Sequence, residues 1–171
     1  MTAADRIVRA DVLGTALFVV TAALAAVFFT TPLQWVGAIT ALSIFAVGVV
    51  CFLWSYLHAV QRSRTDEISV AGLYFLAGSA PRSVKRTMLA MLAVQVATAA
   101  ATTFARLDGP DGKPGSSLAV GFLVPMFGFG LNGLWAAFYG TFDERQRVKT
   151  APNSTGSANA GAAIGQNDDH G

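Results

Sequence analysis

The sequence predicts an all-α polytopic membrane protein. The expected form is a four-transmembrane-helix bundle with a short interfacial helix in its middle cytoplasmic loop. Three observations carry that expectation. Hydrophobic residues make up 53% of the 171-residue chain and charged residues 13%, where soluble domains carry about 25% charge. Mean hydropathy is positive, at +0.51. Four long apolar runs recur, at 12–29, 36–57, 88–104 and 118–139, each close to the ~20 residues that a helix needs to cross a ~30 Å hydrocarbon core.

The length fits one domain. Residues 1–10 form a short polar N-terminus with Arg6 and Arg9. Residues 11–142 form the transmembrane domain, and 143–171 a tail. The first run, 12–29, has no charge and reads as span one. A cleaved signal peptide, cut near Ala23-Leu24-Ala25, is the competing reading. It is disfavoured because the run is long and a second span follows at once. Pro32 lies in the uncharged stretch 30–34 and marks a tight turn. Trp35 opens span two at the expected membrane interface, and Trp54 and Tyr56 stand near its far end.

The middle loop runs from His58 to about Arg86. Thr65 or Asp66 can cap a helix there, and acidic residues suit its first turn. The apolar stretch 68–78 is too short to cross, and Gly78 is a natural stop. It is expected to be interfacial, re-entrant or packed on the bundle. Pro81 suits the first turn of the next helix, capped by Ser79 or Ala80. Residues 106–117 are rich in Gly and Pro and read as an irregular connection. After span four the composition turns to Ala, Asn, Ser, Gly and Gln without aromatics. Such a tail buries too little apolar surface to offset its ordering entropy, so disorder is expected after about residue 150.

Charge sets the orientation. Arg6, Arg9, Arg62, Arg64, Arg82, Lys85, Arg86, Arg145, Arg147 and Lys149 fall on the side of both termini and the middle loop. Only Arg106 and Lys113 fall on the other. By the positive-inside rule both termini and the middle loop are expected in the cytoplasm. Net charge is only +2, so no field recruits nucleic acid.

Few residues carry chemistry. Cys51 is the only cysteine and lies in an apolar run, so no disulfide or Cys/His metal cluster is expected. His58 has no ligand-type neighbour in sequence. No charged residue falls in the centre of a run, which counts against a pump or transporter acting alone. Gln95 and Asn132, near mid-depth, read as interhelical hydrogen-bonding groups. Gly128-Phe129-Gly130-Leu131-Asn132-Gly133 matches G-x-G-x-x-G, but no strand precedes it and it lies at bilayer depth. Gly121, Gly128, Asn132 and Gly133 are therefore assigned to helix packing, with Pro125 as a kink. Ala93, Ala97 and Ala101 make a matching small-residue stripe on span three. Spans three and four are expected to meet there, or one of these faces joins a second copy. Arg62, Arg64, Arg82, Lys85 and Arg86 flank the 68–78 stretch and are candidates for contact with anionic phospholipid headgroups or a partner.

Three segments carry a resemblance: Arg62-Ser63-Arg64-Thr65-Asp66-Glu67, Phe75-Leu76-Ala77-Gly78-Ser79-Ala80-Pro81-Arg82-Ser83-Val84-Lys85-Arg86, and Gly133-Leu134-Trp135-Ala136-Ala137-Phe138-Tyr139-Gly140-Thr141-Phe142. They resemble small four-span membrane proteins of actinobacteria, over roughly residues 10–145. That resemblance implies a fold and a location but no activity and no site residues. The order of two spans, a loop with Asp66-Glu67-Ile68-Ser69, and two spans is also similar to subunit four of actinobacterial cytochrome c oxidase. The aromatic residues expected after the loop's Ser-Pro region are missing here, where Arg82-Ser83-Val84 follow Pro81.

The expectation for function is a non-enzymatic integral membrane protein, without cofactor, metal or catalytic residues. It would be an accessory or scaffolding component of a cell-envelope complex. The alternatives are a small oligomeric transporter or channel and an accessory subunit of a respiratory oxidase. Expected partners are the bilayer itself, anionic headgroups, and a membrane-protein partner or second copy.

Overall fold

The computed structural model describes residues 2–108 and 116–144. The order is α1 (Ala3–Phe28), α2 (Thr31–Arg62), a single-turn α3 (Val70–Tyr74), α4 (Arg82–Ala105), a 3-10 segment (Ser117–Leu123) and α5 (Pro125–Tyr139). The chain is thus an all-α bundle with four helical stretches long and apolar enough to cross a membrane, the fourth being Ser117–Tyr139. The segment 109–115, with Lys113, and the tail from Arg145 onward lie outside the described residues.

Helices α1 and α2 form a hairpin with a tighter connection than the sequence suggests. The expected turn at 30–34 is mostly helix. Thr30 is the N-cap of α2 and Pro32 stands in its first turn, where the missing N–H has no intrahelical partner to lose. The reversal is made by Phe29, in a left-handed conformation with φ 43. Helix α1 also begins earlier than the apolar run. Thr2 caps it through a reciprocal pair of bonds with Asp5, so the polar N-terminus continues the helix.

Helix α5 is the hub. Half of the fourth span's most apolar window is buried in the bundle, against 22–28% for the others. Glycines let it approach its neighbours. A Cβ on Gly48 of α2 would stand 2.5 Å from Phe127 N and Cα. A Cβ on Gly130 would overlap the Gly48 carbonyl oxygen. A Cβ on Gly14 of α1 would stand 2.5 Å from the Phe127 ring. Removing side chains at crossings is how apolar helices associate in lipid, where burial from water gives no drive. Pro125 divides the fourth span: Val124 and Phe127 donate to Gly121 and Val124 in three-residue turns, and α5 begins at the proline.

At the end of the bundle away from α3, Arg106 donates to the Ala26 carbonyl at 3.1 Å and covers the Phe29 ring at 4.6 Å. It thereby satisfies the C-terminal end of α1.

Candidate functional site

The other end of the bundle, where α2, α5 and the middle segment meet, holds most of the residues singled out by sequence. The middle segment is not the single helix expected over 68–78. Ser69, rather than Thr65 or Asp66, caps α3 by accepting from Gly72 N–H. The helix stops after one turn. Leu76 turns left-handed (φ 53), and Ala77 N–H bonds back to the Ala71 carbonyl, closing the chain over the end of the helix. Leu76 is fully buried, so its packing offsets the strain of that conformation. Gly78, at φ 77, continues the turn rather than stopping a helix. Ser79 does not cap α4; it is buried and donates to the Gly72 carbonyl at 2.6 Å. Pro81 is the N-cap of α4. Leu73, Tyr74 and Leu76 enter the core beside α5. Of the three placements considered, the segment is therefore packed on the bundle.

Arg62 corrects the reading of the basic clusters. It is not a free headgroup contact. Its guanidinium donates to Asp66 at 2.7 Å and to the carbonyls of Ala137 and Gly140 at 3.0 and 3.1 Å, and it sits 5.3 Å from the Phe142 ring. It closes the C-terminal end of α5, where carbonyls lack intrahelical partners and cations are favoured. Two backbone bonds extend the clamp: Glu67 N–H donates to Asp143, and Thr141 N–H donates to Ser79. Arg64, Arg82 and Arg86 are exposed and Lys85 half-buried. These four remain available to a headgroup or partner. Arg82, Lys85 and Arg86 line a shallow groove with Leu89 and Ala90.

Two further hollows open at this end. An apolar groove of ≈ 140 Å³ runs between α2 and α3, floored by Ala59 and Leu73 and edged by Tyr56 and Val70. A polar hollow of ≈ 250 Å³ lies between Glu67 and Asp143, with Gly78 and Thr141 in its wall. His58 stacks on Phe138 at 4.1 Å, a packing role. Among the described residues no group of three His, Cys, Asp or Glu is placed to hold a metal.

The expected meeting of spans three and four along Ala93, Ala97 and Ala101 is not what forms. Those three alanines are exposed, facing away from the bundle. Helix α4 packs instead through Met88, Leu92, Gln95, Ala99 and Thr102. Spacing cannot separate the two faces, because alanine suits both a helix contact and lipid. The glycines of the fourth span lie close to neighbouring helices. Gly121 stands against Phe18 and Ala99, Gly128 against Gln95 and Leu92, and Gly133 against Ser55 and Tyr74. The G-x-G-x-x-G letters lie wholly within α5, without the strand-to-helix turn that phosphate binding needs.

Asn132 and Gln95 do make interhelical bonds, but to partners the sequence did not indicate. Asn132 Nδ2 donates to the Tyr74 carbonyl at 3.0 Å, tying α5 to the middle segment. Burial pushes the Tyr74 phenol above its ordinary pKa, with the neighbouring Ser55 hydroxyl acting the other way. Gln95 Nε2 donates to Thr15 Oγ1 at 2.7 Å and makes a long 3.4 Å contact with Asp11 Oδ1. Asp11 was missed. It stands one residue before the apolar run, yet it is 0% exposed. Helical phase could have found it: Asp11, Thr15, Phe18, Ala22 and Ala25 form the buried face of α1 at heptad-like spacing. The centre of each apolar run is free of charge as expected, but a carboxyl just outside the first run is buried in the bundle.

Comparison with protein-family models, with curated proteins and with solved structures gave no match.

Proposed function

We propose that the protein is a non-catalytic integral membrane scaffold, an accessory component of a complex in the plasma membrane of a bacterium. In this reading the middle segment and both termini face the cytoplasm and form its docking end. One observation carries the reading. Three hollows of different chemistry, one apolar, one basic and one acidic, open at the same end of the bundle. That end is held by the Arg62 clamp and by backbone bonds between segments far apart in sequence. A surface fixed before binding loses less entropy when a partner docks. Arg82, Lys85 and Arg86 also suit anionic headgroups at the membrane surface, at about 1 kcal/mol for each cation.

Purification at native expression level in mild detergent tests this, with mass spectrometry of what accompanies the protein. The expected result is a defined partner in fixed stoichiometry, lost when Arg82, Lys85 and Arg86 are all replaced by Gln. Recovery of the protein alone, in high yield, contradicts it.

A second reading, an oligomeric transporter, gains support from Asp11. Ionisable groups at membrane depth are expensive and mark ion or proton paths.

A further inference from the structure

We propose that Asp11, Thr15 and Gln95 form a proton-binding site inside the bundle. The inference is independent of the docking reading and stands or falls separately.

The side chains come from two helices and are closed off from solvent: Asp11 and Gln95 are 0% exposed and Thr15 is 2%. Their hydrogen bonding is incomplete in a specific way. Asp11 Oδ2 and Gln95 Oε1 are both buried and both lack a partner. Each is an acceptor, so the cluster is short of a donor, and buried acceptors without donors are costly. A single proton supplies what is missing. Bound to Asp11, it turns the carboxyl from acceptor to donor. That O–H is the donor the cluster lacks, and neutralising the carboxyl removes a buried charge while Gln95 Nε2 keeps its bond to Thr15 Oγ1. The step is a simple protonation: one O–H bond forms, and neither a metal nor a redox partner is required.

The surroundings favour a proton over a metal ion. The cluster offers two carboxyl oxygens, one amide oxygen and one hydroxyl, whereas a divalent cation takes six or more oxygens. Packing leaves little room for a hydrated ion: a Cβ on Gly128 would stand 2.9 Å from both Gln95 Oε1 and Leu92 Cδ1.

No cation is paired with Asp11 among the described residues; the ion pair found there joins Arg62 and Asp66. On α5 the titratable side chain is Tyr139, at the far end of the helix. On α4 the nearest are Arg86, Lys85 and Arg82, with Arg86 nine residues and about 13 Å along the axis from Gln95. On α2 they are the half-buried Cys51, then Tyr56, His58 and Arg62. The 3-10 segment has none. On α1 itself Asp5, Arg6 and Arg9 are exposed. Asp11 lies about 12 Å along α1 from Ala3, so the docking end is the shorter route to solvent.

Infrared difference spectroscopy of the full-length protein in lipid nanodiscs tests the site. A protonated-carboxyl C=O band is expected to grow as pH falls. It should be lost in Asp11→Asn and shifted in frequency in Gln95→Leu and Thr15→Val. If Asp11→Asn is not monodisperse, the shifts in the other two variants decide. A band unchanged in these variants, or no pH-dependent band at all, overturns the proposal. Displacement of the band by Na⁺ or Mg²⁺ at constant pH also overturns it, in favour of a metal cation.

Discussion

Gly130→Ala is expected to destabilise the bundle by about 3 kcal/mol or more, the upper end of what overpacking usually costs. The added methyl would overlap the Gly48 carbonyl oxygen and press on Cys51 Cβ at 3.2 Å. Backbone cannot rotate aside as a side chain can, so α2 and α5 must separate. Separation exposes the reciprocal contact, because Phe127 N and Cα occupy the space that a Gly48 side chain would fill. Gly37→Ala is the control. Its Cβ would meet Ala25 Cβ at 3.2 Å and the Thr21 carbonyl at 3.7 Å, so a change within about 1 kcal/mol is expected. Thermal denaturation in detergent, followed by circular dichroism, separates the two. Gly130→Ala should lower Tm by roughly 6–12 °C and Gly37→Ala by little. Equal behaviour would mean that α2 and α5 do not cross at these glycines.

Arg62→Ala is the second large effect, at about 2–4 kcal/mol. The side chain makes three hydrogen bonds, one to a carboxylate and two to carbonyls at the end of α5. Bonds involving a charged group contribute about 1.5–3 kcal/mol each before screening. The pair with Asp66 is part-exposed, at 29% and 18%, which reduces that contribution. Loss of the guanidinium also leaves the Ala137 and Gly140 carbonyls without this donor. Arg62→Lys should rescue little, because an ammonium on a flexible stem cannot serve three acceptors with a planar fork. The readouts are Tm and the rate of proteolysis between residues 63 and 81. Wild-type protease resistance in Arg62→Ala would show that the middle segment is held by other contacts.

The four spans were legible because lipid demands long apolar runs, and nothing in a 171-residue chain imitates them. Their ends were less legible. A span was bounded by the first polar residue, but helical hydrogen bonding runs on through polar flanks. That is why Asp11 fell outside the first span on paper and inside the bundle in the fold. The exposed stripe of Ala93, Ala97 and Ala101 had a different cause. In a membrane both the packed and the lipid-facing sides of a helix are apolar, so small residues at four-residue spacing do not say which side they occupy. The true contact face of α4 carried a clearer sign in Gln95, a polar group at depth that had to find partners.

The basic residues of the middle loop illustrate a further gap. Topology explains why they are on one side, but not that Arg62 folds back onto α5 while Arg64 faces out. That choice depends on where α5 ends, 75 to 78 residues away. The single turn of α3 was equally hidden. Its stop is made by Leu76, a residue with no intrinsic preference for a left-handed conformation, held there by burial.

The proposed orientation places the middle segment and both termini together on the cytoplasmic side of four spans. Paired reporter fusions in the native membrane test it most directly. A fusion at Gly112 should report the outside, and one at Gly156 the cytoplasm. The reverse pattern, or the same side for both, would contradict the proposed orientation.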